Sequence, residues 1–549
     1  MAIVKDIDIT PEQRQLVCSI FATHLPDTEV WAYGSRVHWN ATPSSDLDLV
    51  AFCSDKSGLA NCRDAFAESS LPFRVDLFLW DEIPENFQDR IKQEYAVLMP
   101  KQEVKWKYIP MRVFCTRVAD GTHATPKPVN AGKKLVTSKN IVKGKLSLED
   151  CYCISQDDFD EINRRSKVDL GDVLLSMIGT VGATCVIEIE SDFAIKNVAL
   201  LKNKDLLHGK YLNYYLSTSE GQLLIRERLR GTTQQYIPLE DVRNLPIKVP
   251  CNPDKMKEIV NVLSAFDDKI ELNRKMSKML EAMAEALFKS WFVDFEPVRA
   301  KIAAIENGKD PELAAIMSIS GKTEVQLAEM KTFYPDAYSE LAHTASLFPS
   351  VMVESEQGKI PEGWEIRPLD TIADFLNGLA MQKYPASTEE TDYLPVIKIA
   401  QLNQETTEGA DHASLKVPQE YVIHNGDVLF SWSGSLNVVL WCGGKGALNQ
   451  HLFKVSSTKY PKWFYYFWTK RHLPEFQRIA SDKAVTMGHI QRKHLSQAQT
   501  IVPPASLLNN SCFADMLNKI LLCKLQNITL KMQRDQTLTS VFEARACQN

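Results

Sequence analysis

The chain has 549 residues, 44% hydrophobic and 24% charged, enough for three or more domains with their own cores and ordinary for soluble globular protein. No apolar run reaches the length of a membrane span, and the opening MAIVKDIDIT lacks the basic and apolar regions of a signal peptide, so a cytoplasmic protein without membrane contact is expected. The formal charge of −6 neither requires nor excludes nucleic acid, because residues 1–100 hold 16 acidic and 8 basic side chains whereas residues 101–150 hold 11 basic and 4 acidic. The twelve cysteines are scattered, and Cys151 and Cys153 have no second pair at metal-site spacing, so reduced thiols are expected and structural zinc is not.

Thr10-Pro11 ahead of Leu16, Val17, Ile20 and Phe21 predicts a capped amphipathic helix. Strands are predicted at 29–33, ending in Gly34-Ser35, at 47–52 and at 73–80, with a helix between the last two. Asp46 and Asp48 alternate with Leu47 and Leu49, so period two puts both carboxylates on one face, and Asp76 joins them from a neighbouring strand. Three convergent carboxylates repel one another unless a divalent cation neutralises them; two Mg²⁺ ions held this way activate an attacking oxygen and stabilise a leaving phosphate. Gly34 and Ser35, at a strand-to-helix turn, would offer N–H groups and a hydroxyl to triphosphate oxygens.

The ordered pattern G-S-x₁₀-D-L-D, followed by V-D-L, resembles the minimal nucleotidyltransferases of the DNA polymerase beta superfamily. That resemblance implies an NTP donor and Mg²⁺, with Asp46, Asp48 and Asp76 as metal-binding catalytic residues. It implies that Gly34, Ser35 and Arg36 bind the nucleotide. The acceptor is left open, a protein included.

The rest of the chain is a tandem duplication. GDVLLSMIGTVG at 171–182 returns as GDVLFSWSGSLN at 426–437, and the flanking features recur in the same order. The first copy holds VADGTHATPKP at 118–128, FAIKNVAL at 193–200 and GTTQQYIPL at 231–239; the second holds ALNQHLFKV at 447–455 and MGHIQRKHL at 487–495. Hydrophobic frame positions recur while turn residues differ, as expected of two scaffolds reading two different targets.

Between the copies, residues 253–293 carry the strongest helical signal. Ile259, Phe266, Asn273, Leu280 and Leu287 are spaced by seven, with Leu263, Ile270, Ser277, Ala284 and Trp291 as the companion series. This is either an amphipathic helix on a globular core or one strand of a coiled coil. Ile259, Leu263, Phe266, Ile270, Leu280, Leu287 and Trp291 are the expected assembly residues. A second helix with Leu517, Leu521, Leu525, Ile528 and Met532 would pair with it antiparallel.

EALFKSWFVDFEPVRAKI at 285–302, FPSVMVESEQGKIPEGWEI at 348–366, DGTHATPKP, GDVLLSMIGTVG and GTTQQYIPL closely resemble the specificity subunit of type I restriction-modification systems. The resemblance covers roughly residues 105–540; only the ending DQTLTSVFEARACQN departs, as a shortened or diverged final helical signature. It implies a subunit of a phage-defence restriction system that reads a bipartite, asymmetric target in double-stranded DNA. The paired helices would act as a ruler and bind two modification subunits, which carry S-adenosylmethionine and methylate adenine, and restriction (translocase) subunits would join them.

The expected fold class is multidomain α+β: a polymerase-beta-like nucleotidyltransferase fold, then two α+β target-recognition domains separated by long antiparallel coiled-coil helices. The expected boundaries are 1–100 for the first domain, 105–250 and 361–505 for the recognition domains, 251–300 for the central helix, 301–360 for a connecting region and 506–545 for the last helix.

Loop and turn residues at element edges are the candidate DNA contacts. In the first module these are Thr122, His123, Lys127, Ser138, Lys139, Asn140, Thr180, Thr232, Thr233 and Gln234. In the second they are Asn377, Lys383, Lys398, Ser433, Ser435, Asn437, Lys483, Thr486, His489 and Arg492. Trp432 suits recognition or packing equally. Nothing in either module resembles a nuclease carboxylate cluster or a methyltransferase cofactor site, so the recognition half is expected to have no catalysis of its own. The competing reading is a protein nucleotidyltransferase, a toxin-antitoxin-like regulator, that uses the duplicated half as a targeting scaffold.

Overall fold

The computed structural model describes residues 3–4, 6–26, 28–53, 55–100, 105–142, 144–190, 192–386, 392–482 and 488–543. They fall into two compact units, Met1–Val260 with Thr539–Asn549, and Asn261–Leu538. Among the described residues no helix is long and apolar enough to cross a membrane.

The first unit opens with a five-stranded sheet. Strands β1 (Ile3–Val4), β2 (Glu29–Tyr33), β3 (Leu47–Phe52), β4 (Val75–Leu79) and β5 (Glu94–Met99) lie in the order β1-β5-β2-β3-β4. Strand β2 runs antiparallel to β3 and β5, and β3 runs parallel to β4. Helix α1 (Pro11–His24) starts with a capping box between Thr10 and Gln13, and Asp55 caps α2 (Lys56–Ala67). Their Val17, Phe21, Leu59, Cys62 and Phe66 bury against Leu47, Leu49 and Leu77 on one sheet face. Period two turns Tyr33, Val50 and the carboxylates of Asp48 and Asp76 to the other face. There Ile91 of α3 (Glu85–Gln93) packs in a cluster with Tyr33, Val50, Trp31, Phe52 and Trp80.

The duplication is visible in strand order. In the first module, Val173–Ser176 lies between Thr184–Val186 and Val198–Lys202, with Arg117–Asp120 outermost. In the second, Val428–Ser431 lies between Val438–Leu440 and Leu452–Ser456, with Asp374–Asn377 outermost. These central strands are the GDVL segments, and all four residues of each are buried, which is why their apolar identity recurs. Each module adds a parallel pair, Lys133–Val136 with Phe193–Ile195 and Leu394–Ile397 with Gly446–Leu448. Each also closes by pairing its opening and final strands, Trp106–Pro110 with Pro246–Pro250 and Glu365–Pro368 with Gln499–Val502.

A 40-residue helix, Pro253–Phe292, bears the heptad series. Ile259, Leu263, Ile270, Asn273, Ser277, Ala284 and Trp291 are buried, while Phe266, Leu280 and Leu287 are half-buried. The C-terminal helix Ser511–Glu543 meets it at Asp267–Arg534 (2.8 Å), at Asn273–Gln526 (3.3 Å) and at Met276–Cys523 (3.9 Å). The buried face of that helix is Phe513, Leu517, Ile520, Cys523 and Asn527; Met532, expected on it, is 60% exposed. Of the expected assembly residues, Ile259, Leu263, Ile270 and Trp291 are buried within the chain and so are not themselves open to a second subunit.

The connecting region is helical: Glu296–Glu306, Pro311–Ser320, Glu324–Phe333 and Pro335–Ser346. It is fastened by a buried Lys301, whose Nζ donates to Glu312 (2.7 Å) and to the Phe348 carbonyl (2.8 Å).

Candidate nucleotide site and nucleic-acid interface

Strand register brings the acidic residues of the first domain into one row: Tyr33 faces Asp48 across β2 and β3, and Asp48 faces Asp76 across β3 and β4. Burial, with the charges of Asp76 and Asp46, pushes the Asp48 carboxyl up from 3.8 to about 6. Burial and the charges of Asp48 and Asp76 push the Tyr33 phenol up to about 12. Gly34 directly follows Tyr33, the last residue of β2, and its backbone approaches Asp48. Its φ is +79°, and a Cβ there would stand 2.4 Å from Asp48 Oδ2. Only glycine lets the backbone after β2 approach that carboxylate.

Among the described residues no group of three or more His, Cys, Asp or Glu side chains is arranged to hold a metal ion. The expected three-carboxylate group is therefore not assembled as a ligand set. Asp46 is exposed just before β3, and Asp76 Oδ1 pairs with Arg74 Nε at 2.8 Å. The donor chemistry still fits a hard divalent cation, since burial and the neighbouring charges of Asp76 and Asp46 oppose ionisation of Asp48, and a cation there would relieve that cost.

Arg36 lies elsewhere in the logic of the site. It is 5% exposed, stacks 3.9 Å over Phe73, and donates to the carbonyls of Ser45 (2.7 Å) and Asp8 (2.8 Å). Its guanidinium thus braces the loop that carries Asp46, and is not turned out towards a phosphate. Ser35 is half-buried, and its carbonyl accepts from the Asn40 N–H.

In the recognition modules, isolated bridges draw together loops far apart in sequence. Thr122 pairs with Lys196 and Ile178 with Tyr236 in the first; Leu379 pairs with Asn449 and Ser433 with His489 in the second. His123 sits between Asp120 Oδ2 (2.8 Å) and Asn197 Oδ1 (3.0 Å), and Lys196 Nζ donates to Thr125 at 2.5 Å. Lys127, Lys139, Thr180, Thr232, Thr233 and Gln234 are exposed, and Ser138 is half-buried 3.7 Å from where a Gly179 Cβ would stand. Asn140 points inward instead: it is 5% exposed, and its Oδ1 accepts from Thr137 N (2.8 Å) and Oγ1 (3.0 Å), stapling the turn.

In the second module Trp432 Nε1 donates to Asn377 Oδ1 at 2.8 Å, and the His489 ring meets Trp432 edge-on at 6.3 Å. Ser433 is 3% exposed, with its Oγ 3.0 Å from His451 Nδ1. Asn437 Nδ2 donates to Asn403 (3.2 Å), and Lys398 is paired with Asp411. Arg492 donates to the Phe375 carbonyl (3.2 Å), while Lys383 and Ser435 are exposed. Lys483 and Thr486 lie outside the described residues.

Sequence reasoning missed Asp120, Lys196, Asn197, Tyr236, Asn449 and His451. The signal available was positional, because each lies inside one of the recurring phrases.

The family model described as Type I restriction modification DNA specificity domain matches twice, at residues 129–282 and 361–511. Over 211 residues the chain is 37% identical to the Type I restriction enzyme HindI specificity subunit of Haemophilus influenzae, covering 36% of this chain and 45% of that protein. It therefore spans less than half the length of that relative. Over 100 residues it is 37% identical to the Probable protein adenylyltransferase MntA of the same organism, covering 18% of this chain and 88% of that one. A crystal structure of the Type-I restriction-modification system S subunit from M. genitalium covers 80% of this chain and 96% of its own, at 14% identity and a TM-score of 0.43. Two matched segments, each with the same strand order, together take in more than half of the sequence, and the chain belongs to the type I restriction modification DNA specificity domain family.

Proposed function

We propose that this chain is the DNA-specificity subunit of a type I restriction-modification complex, each module reading one half of a bipartite, asymmetric target. The observation that carries this is the double family match on two modules whose loops are joined by equivalent bridges but carry different side chains. Exposed Lys127, Lys139, Thr180 and Thr232 would meet phosphates in the first module, with Lys383 and Ser435 doing so in the second. The helices Pro253–Phe292 and Ser511–Glu543 would act as the antiparallel ruler for the unread spacer and would offer a surface to two modification subunits, which carry S-adenosylmethionine. Restriction subunits join that assembly. Capture of duplexes from a random pool by the complete complex tests the reading: two short conserved blocks at fixed spacing support it, and capture without sequence preference removes it.

The first domain is proposed to transfer a nucleotidyl group from an NTP to a protein acceptor. Support comes from the match to a probable protein adenylyltransferase over most of that protein's length, and from the Tyr33–Asp48–Asp76 row beside Gly34. Asp46, Asp48 and Asp76 would hold Mg²⁺, which when bound supplies charge neutralisation at the transferring phosphate. Gly34 keeps the backbone close enough for its turn to meet the phosphates, and Arg36 positions Asp46 through the loop carbonyls. Asp76, level with Asp48 on the next strand, would draw the proton from the acceptor hydroxyl as its oxygen bonds to the α-phosphorus of the NTP and pyrophosphate leaves. Incubation of the complete complex with labelled NTP and Mg²⁺ should label a protein, and an Asp46→Ala/Asp48→Ala chain should not. Equal labelling by both would refute the assignment.

A further inference from the structure

The two modules can be superimposed residue by residue through their pairing alone. Ser176 pairs with Val198 where Ser431 pairs with Leu452, and Ala199 pairs with Asp120 where Phe453 pairs with Asn377. The Ile178–Tyr236 bridge in the first module thus falls where the Ser433–His489 bridge falls in the second. Both bridges hold a loop that follows the GDVL strand against a loop brought in from the module's far end. The backbone is the same at these two places, and the chemistry is not. Tyr236, a large ring, is 41% exposed beside Ile178; His489 is exposed edge-on to the Trp432 indole, whose nitrogen is spent on Asn377.

We infer that Tyr236 and His489 are the equivalent specificity-determining residues of the two modules, each presenting its ring to base edges of one half-site. This rests on the DNA-reading proposal and deepens it to named positions. Base reading needs a hydrogen-bonding group held by a fixed backbone, whereas phosphate contact tolerates a flexible one. Each residue is pinned on both sides. The Arg230 and Tyr236 N–H groups donate to one another's carbonyls at 2.8 and 2.9 Å, and the next residue, Ile237, donates to the Met177 carbonyl. In the second module Ile490 N–H donates to the Trp432 carbonyl at 3.0 Å, and Gly434 N–H to the Gly488 carbonyl at 2.8 Å. A phenol offers one hydroxyl, and an imidazole offers a donor and an acceptor on opposite edges. One frame therefore asks two different questions of DNA.

The test uses the full chain with its modification subunits in a host that lacks adenine methylation, with methylated sites read by long-read sequencing. Tyr236→Phe and Tyr236→His should each change base preference about tenfold or more at one or two positions of one half-site, leaving the other half intact. His489→Tyr should do the same in the opposite half. An unchanged motif in all three variants overturns the inference. Where a variant no longer methylates, capture from a duplex pool randomised in one half-site reads its preference directly: a shifted consensus supports the assignment and the wild-type consensus overturns it. A wild-type complex that methylates at no two-part motif overturns the DNA-reading proposal, and this inference with it.

Discussion

Replacing Asp48 by Asn should stabilise β3 at neutral pH. The wild-type carboxyl is pushed up from 3.8 to about 6 by burial and by Asp76 and Asp46. Such a rise sets an upper bound of about 3 kcal/mol on what the charged form costs the folded chain, lowered by solvent screening because Asp48 is only half-buried. The sign follows from linkage: a carboxyl raised to about 6 favours the native state fully below 3.8, and that contribution is lost as pH rises through about 6. A neutral amide of the same shape escapes the loss. Hydrogen exchange of the amides in Leu47–Phe52, read by mass spectrometry on the full chain, measures the local opening free energy. Asp48→Asn should exceed wild type by up to about 3 kcal/mol at pH 7.5, and by only a few tenths at pH 4. Added Mg²⁺ should narrow the gap at pH 7.5 by stabilising the charged wild type alone. A variant less stable than wild type at pH 7.5, or a gap independent of pH, would refute the electrostatic reasoning.

Gly34→Ala should displace Asp48, because the new methyl would stand 2.4 Å from Oδ2 at a φ of +79°; calorimetric NTP binding to the full chain should weaken at least tenfold, as expected of a loss above about 1.4 kcal/mol. Phe542 is fully buried against Trp106, Tyr211 and Tyr215, and Lys248 Nζ donates to its carbonyl at 2.5 Å. Phe542→Ala should cost about 3–5 kcal/mol and speed exchange in strand Pro246–Pro250. Glu281 is raised by burial but brought below its ordinary value by Lys470, with Tyr466 also donating to it. Lys470→Met strands that carboxylate and should cost about 3–5 kcal/mol at pH 7 by urea unfolding. In the wild type, the stability held by Glu281 is present above 4.5 and lost as pH falls through its lowered value, so the gap to Lys470→Met should shrink in acid.

The parts of the fold legible in sequence were those with one dominant cause. The GDVL strands are buried on both faces, so their apolar run is written plainly twice. The central helix buries a seam every three or four residues, so its heptads stand out. The carboxylate row was readable because period two fixes the face of Asp48 and, on the next strand, of Asp76.

What escaped depended on contacts across long separations. Arg36 follows Gly34-Ser35, where a cation looks like a phosphate ligand, and only folding reveals the Ser45 and Asp8 carbonyls that receive it. Asn140 sits in a polar turn, yet Thr137 draws its amide inward. The C-terminal segment departs from the expected pattern, and only folding shows Phe542 buried among aromatics of the first module. The pairing of the loops escaped for the same reason, since Ile178 and Tyr236 become neighbours only once the strands between them are built.

The central claim is that two similar modules read two different halves of one DNA site. Methylome sequencing of cells that express the chain with its modification subunits, before and after the second module (361–505) is exchanged for that of another specificity subunit, tests it most directly. The account predicts a bipartite motif in which one half changes and the other half is kept. A motif unchanged by the exchange, or changed in both halves together, would contradict it.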